Sequence, residues 1–136
     1  MGRRWGVAWM LLLAGCGSTP TSPAPGAAEA VAQDFYEALL RQDWPRAYAC
    51  LAPESRARCS AEQFTRLARG HRRGLGFEPE SVRVRFCEEH GSEATAHVVY
   101  TGHSESGHRS YKDGITLRQV ESGWGVVLPA RFGQTR

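Results

Sequence analysis

The sequence predicts an α+β domain in which three N-terminal helices pack on a curved antiparallel sheet of four strands. Apolar residues recur at helical spacing as far as Leu67 and Ala68, and from Ser81 the period falls from 3.6 to 2. Helices first and strands afterwards is the order of an α+β fold rather than of alternating βα units. Composition agrees: 136 residues, 41% apolar and 23% charged, make one core of an ordinary globular chain.

The first helix lies in AAEAVAQDFYEALLRQDW, where Val31, Phe35, Ala38 and Leu39 form an apolar stripe and Glu29, Gln33, Asp34, Glu37 and Arg41 lie elsewhere; its end is expected near Gln42. Asp43 caps a second helix with Pro45 in its first turn and Trp44, Ala47, Tyr48 and Leu51 as its stripe, and Pro53 stops it. Ser60 and Gln63 form a capping box that opens the third, buried through Phe64, Leu67 and Ala68 and closed at Gly70. In the strand half, Val82, Val84 and Phe86 alternate with Arg83 and Arg85, His90-Gly91-Ser92 turns, and residues 94–103 return. Another turn at 104–107 leads to strands over 111–120 and 124–128, joined at Glu121-Ser122-Gly123 and ended by Pro129.

Charge excludes one class of partner. The formal net charge is +3, but setting Arg3 and Arg4 apart from the 17 basic residues leaves 15 against 14 acidic ones. Such a balance gives no general footprint for nucleic acid.

Arg3 and Arg4 supply a positive start, residues 5–14 are almost wholly apolar, and Ala14-Gly15 precedes Cys16; these are the parts of an export signal. The apolar run is about half of the roughly 20 residues a spanning helix needs, so it is not read as a permanent transmembrane segment. A twin-arginine reading of Arg3-Arg4 is weakened by Trp5-Gly6-Val7, which departs from the residues that usually follow. Leu13-Ala14-Gly15-Cys16 resembles the bacterial lipoprotein lipobox. That resemblance implies a signal peptide over 1–15, a diacylglyceryl thioether on Cys16 and attachment to the membrane of the bacterial cell envelope through acyl chains such as palmitate. Two or more chains hold a protein stably where one holds it marginally. Gly17 stands where an aspartate would imply inner-membrane retention, which implies the outer membrane, facing the periplasm. The alternative is a plain cleaved signal with an incidental cysteine. GSTPTSPAPGAA, rich in Pro, Ser and Thr, reads as a tether, giving a lipidated cysteine and linker over 16–28, a folded domain over 29–131 and a tail over 132–136.

Three stretches carry a family resemblance: A-x-x-F-Y-x-A-L-x-x-x-D-W-x-x-A-Y from Ala32 to Tyr48, S-A-E-Q-F from Ser60 to Phe64, and I-T-L-x-x-V-x-S-G-W-x-V-x-L-P from Ile115 to Pro129. Together they resemble the nuclear transport factor 2-like superfamily, and within it small bacterial lipoproteins. The resemblance implies a cone-shaped α+β fold, and a superfamily that holds both binders and enzymes with polar side chains inside the cone. These are packing motifs, so they speak for fold and not for activity.

An acid/base site needs titratable groups gathered in a pocket. The candidates are Asp113, His97, Tyr100 and Tyr111, with Arg118 beside them. Alternation puts Tyr100 with Ala94, Ala96 and Val98, His97 with Thr95, Val99 and Thr101, and Tyr111 and Asp113 with Ile115 and Leu117, opposite Arg118, unless a bulge near Gly114 intervenes. The bland alternative is a solvent-facing His97, interfacial tyrosines and an Asp113 that serves a turn. No metal or cofactor is expected, because Cys87-x-x-His90 and His103-x-x-x-x-His108 fall at opposite ends of the second strand, roughly 25–30 Å apart. Arg66, Arg69, His71, Arg72 and Arg73 read as a solvated helix end that complements the macrodipole, or else as a patch for anionic headgroups or a negatively charged partner. Among Cys50, Cys59 and Cys87, local geometry favours a disulfide between Cys50 and Cys59 in an oxidising compartment; the alternative is three small apolar fillers.

Two functions stay open for the folded part. One is a non-catalytic module that binds a small ligand or an envelope protein, with self-association allowed. The other is a lyase or isomerase acting through polar residues inside the cavity. What separates them is whether the cone contains an open cavity with Tyr, His or Asp at its base; an apolar, filled cone favours the interaction module.

Overall fold

Among the described residues the helical half contains four helices, not three. The computed structural model describes residues 26–121 and 123–134. In it α1 (Ala27–Leu40), α2 (Trp44–Ala49), α3 (Pro53–Arg58) and α4 (Ala61–Gly74) precede β1 (Glu78–His90), β2 (Glu93–Ser104), β3 (Gly107–Val120) and β4 (Gly123–Val127). The strands form one open antiparallel sheet in the order β1-β2-β3-β4. The expected Cys16 anchor, its signal and most of its linker lie outside the described residues.

The additional helix is α3, and Pro53 explains why it is easily passed over. A proline ends the helix before it, yet it also sits without loss at the first position of the next, where its missing N–H has no partner to give. Ala52 is the N-cap of α3, and the segment just before it closes one edge of the sheet. Leu51 makes a parallel bridge to Val126, with Ala52 N donating to Val126 O and Val126 N to Cys50 O, both at 2.8 Å.

The capping box of α4 forms with both of its hydrogen bonds, Gln63 N to Ser60 Oγ and Ser60 N to Gln63 Oε1. The helix then runs past Gly70 to Gly74. Gly70 is not a stop: it is buried, and a Cβ there would collide with the backbone carbonyl of Gly133 in the chain's last described turn. Its missing side chain admits that turn, which carries the buried Phe132 into the core.

The inner face of the sheet follows alternation on β2 and β3. Ala94, Ala96, Val98 and Tyr100 are buried, and they pair with Leu117, Ile115, Asp113 and Tyr111 across an unbroken register. No bulge occurs near Gly114. The irregularities lie in β1, between Pro79 and Ser81 and between Val84 and Phe86. The second one breaks the expected Val82–Val84–Phe86 face. Val82 and Val84 stay in the core, while Phe86 is 50% exposed and stacks on His97 at 4.2 Å on the outer face. Cys87 is correspondingly turned inward, opposite the buried Ala96, and packs against the core instead of following Arg83 and Arg85 outward.

Candidate functional site

The polar residues of the interior gather around Asp113. Tyr36, beside Phe35 on the buried side of α1, donates its hydroxyl to Asp113 Oδ2 at 2.9 Å. Asp113 Oδ1 accepts the N–H of Gly114 at 2.9 Å. From α4, His71 brings Nε2 to 3.9 Å from Asp113 Oδ2 and to 3.4 Å from the hydroxyl of Tyr100. Aromatic packing holds the frame: the rings of Tyr36 and Tyr100 meet edge to face at 5.7 Å, and the His71 ring lies on Phe132 at 4.8 Å. These groups border an open pocket of about 500 Å³ whose lining includes Tyr36, His71, Tyr111, Asp113, Arg131 and Phe132.

The environment separates the roles of these groups. Burial, reinforced by the charge of Asp113, pushes the Tyr36 phenol far above its ordinary range, so it remains a hydrogen-bond donor. Tyr100 is raised for the same two reasons, with Arg72 opposing. Burial lowers the pKa of His71, with Asp113 acting in the opposite direction, and favours a neutral imidazole. The Asp113 side chain is 25% exposed, and a carboxylate accepts about four hydrogen bonds, of which two are taken here. The pocket therefore offers an acceptor already held in place by Tyr36 and by backbone.

The structure brings together three of the four sequence candidates. Asp113, Tyr100 and Tyr111 share the inner face, with Tyr111 41% exposed at the pocket rim. His97 stands on the other side, against Phe86. Arg118 is bound away from the pocket, pairing with Glu54 and with Glu93. Sequence reasoning missed Tyr36 and His71. His71 was assigned to a solvated basic run, although Phe64, Leu67, Ala68 and His71 continue one stripe at helical spacing, which was the signal for an inward side chain. A tyrosine on a buried helix face likewise requires a partner for its hydroxyl. Arg72, in the same run, donates to Leu40 O at 2.8 Å and pairs with Glu78, so it too is bound.

The disulfide expected between Cys50 and Cys59 is not formed; these two and Cys87 are free thiols. The chain between them does not turn directly back, because it first bridges to β4 and then winds through α3. Cys59 is buried, and burial raises the thiol pKa of Cys50 and Cys87, which disfavours the reactive thiolate. The histidines near the hairpin tips stay as far apart as their spacing demands. His103 and His108 face each other across β2 and β3, with His103 Nδ1 2.7 Å from Glu80, while Cys87 and His90 lie at the opposite end of β2. Among the described residues no group of three or more His, Cys, Asp or Glu is arranged to hold a metal ion. No helix among them is long and apolar enough to cross a membrane.

The chain matches no protein family and no curated protein. Solved structures do match its fold. A SEC-C motif protein from Rhodopseudomonas palustris is 20% identical, with a TM-score of 0.55 over 75% of this chain and 77% of that one. A second SEC-C motif protein, from Psychrobacter arcticus, is 11% identical, with a TM-score of 0.59 over 76% of this chain and 59% of that one. A protein with a cystatin-like fold from Methylobium petroleophilum is 14% identical, with a TM-score of 0.50 over 85% and 86%. At these identities the likeness defines an α+β fold and carries no activity. It also corrects the family expectation. The neighbours are SEC-C motif and cystatin-like proteins, not members of the nuclear transport factor 2-like superfamily or its small lipoproteins. The motifs that suggested that superfamily mark helix-on-sheet packing, which different α+β families share.

Proposed function

We propose that the domain is a ligand-binding module whose pocket takes a small molecule carrying a protonated amine or a comparably strong hydrogen-bond donor. The observation that supports this reading is the Asp113 carboxylate, fixed by the Tyr36 hydroxyl at 2.9 Å and open to a pocket of about 500 Å³. That volume falls within the range of small-molecule sites, and the partly exposed Tyr111 ring at the rim suits a cation. Asp113→Asn removes the charge while the amide oxygen can still accept from Tyr36. Benzylamine, titrated by NMR shift changes, should bind the parent and lose at least tenfold in affinity in the variant, whereas benzyl alcohol should not distinguish them. Equal benzylamine affinities would remove Asp113 from the site.

A second reading, a lyase or isomerase, is favoured by the imidazole of His71, which burial keeps neutral beside the carboxylate. A neutral imidazole in a pocket is a candidate proton acceptor. His71→Gln separates the readings: a binding module keeps its ligand, and an enzyme keeps ligand but loses turnover.

Placement at the cell envelope is a further part of the proposal and rests on Cys16 and the residues before it. Cys16→Ala should leave an unprocessed precursor without incorporated fatty acid. Equal labelling of variant and parent with a radioactive palmitate would end this part of the reading, with no bearing on the pocket.

A further inference from the structure

A second pocket, of about 390 Å³, lies between α3, the first turns of α4 and the segment after β4. Its floor is apolar, built by Cys59, Leu67 and Leu128, and its polar rim is Arg58, Gln63 and Arg66. The rim presents donors only. Arg58 and Arg66 make no ion pair or side-chain hydrogen bond among the described residues, in contrast to Arg46, Arg72 and Arg118, each paired with a carboxylate. Gln63 spends its Oε1 on the backbone N–H of Ser60, which leaves its amide N–H groups to face outward. Ser55, 1% exposed at the pocket wall, uses its oxygen to accept the N–H of Leu128 at 3.0 Å, and its own hydroxyl proton meets no acceptor among the described residues. Among the described residues no carboxylate lines the cavity.

Two unpaired guanidinium groups and two further donors above an apolar floor describe the complement of an amphiphilic anion. An arginine fork matches a carboxylate in shape and charge, and Leu67, Leu128 and Cys59 exclude water from whatever apolar body hangs below it. We propose that this pocket is a binding site for a small carboxylate with an apolar stem, of the medium-chain fatty-acid type, held at its head by Arg58 and Arg66. It is separate from the Asp113 pocket, whose lining holds a carboxylate; the two lining sets share only Pro129.

The test uses the folded domain with octanoate as probe, followed by calorimetry and by NMR shift changes. Octanoate should bind with one site per chain, its shifts centred on Leu67 and Leu128, and octylamine and octanol should bind at least tenfold more weakly. Arg58→Gln with Arg66→Gln, both on exposed side chains and so without effect on the fold, should weaken octanoate at least tenfold and leave octanol unchanged. Lys at both positions should restore part of the affinity. Octanoate affinity equal to that of octanol, affinity unaffected by the double variant, or shifts centred on Asp113 would each overturn the proposal.

Discussion

Burial of His71 makes the stability of the domain depend on pH below neutrality. Desolvation lowers its pKa in the folded state beneath the ordinary 6.5, with Asp113 opposing. As pH falls through about 6.5 the unfolded chain takes up a proton on this residue that the folded chain refuses, so stability is lost. The loss ends once pH passes the folded pKa, where both states are protonated. Urea denaturation should therefore give a lower midpoint at pH 5 than at pH 7.5, and His71→Gln should flatten that difference. A midpoint difference identical in the variant would show that His71 is not its source. Tyr36 acts at the other extreme: its raised pKa adds stability that is complete below pH 10 and is lost as pH rises toward the folded value. Both residues were hidden from pattern reading for one reason. His71 sits among arginines and Tyr36 between Phe35 and Glu37, and only the position of each on the buried stripe, not its type, reveals that it turns inward.

Among the elements, β1 is the exposed edge of the sheet, and a side chain guards it. Gln33, on α1, donates Nε2 to Val82 O at 3.1 Å and accepts the N–H of Val84 through Oε1 at 2.8 Å. The amide stands where a neighbouring strand's backbone would, and an unpaired edge invites pairing with other chains. Gln33→Ala leaves a partly buried donor and acceptor without partners, which costs about 1–3 kcal/mol and should also raise self-association in sedimentation velocity. An unchanged denaturation midpoint would mean that water replaces the amide at no loss. Such contacts have no sequence signal, since Gln33 reads only as a polar residue on a helix. What was legible followed from periodicity and caps: α1, α2, the start of α4, the four strands, and Asp113 on one face of its strand with Tyr111; that Tyr100 shares this face came only with the register between β2 and β3. What was not legible depended on contacts distant in sequence. Helix α3 is too short to show a period, Gly70 answers to Gly133 across the chain, and the irregularity after Val84 changes the face of Phe86 and Cys87 without any glycine to mark it.

Across the whole molecule, the segment after β4 ties the core to both pockets. The sequence reading ended the folded domain at 131, yet Phe132 is only 8% exposed, stacks parallel to Phe64 with centroids at 6.0 Å, and covers the ring of His71. Close approach at Gly70 and the left-handed backbone of Gly133, with φ at 70°, let the chain turn there, where any Cβ would strike the backbone of Leu67. Phe132→Ala removes an aromatic ring from the interior and should cost about 3–5 kcal/mol, a large share of the roughly 5–15 kcal/mol that holds a typical domain together. Phe132→Leu is the gentler change, because it keeps apolar volume while exposing one face of His71 to water. Since desolvation is the main cause of the lowered pKa of His71, hydration should move that pKa back toward 6.5, measurable by NMR titration of the imidazole in the leucine variant. A titration unchanged from the parent would place the desolvation in Tyr100 and α4 instead of in the C-terminal turn. A shift upward would instead make that turn the part of the fold that sets the protonation state at the Asp113 pocket, and His71 should then favour its charged form at a higher pH whenever the turn opens.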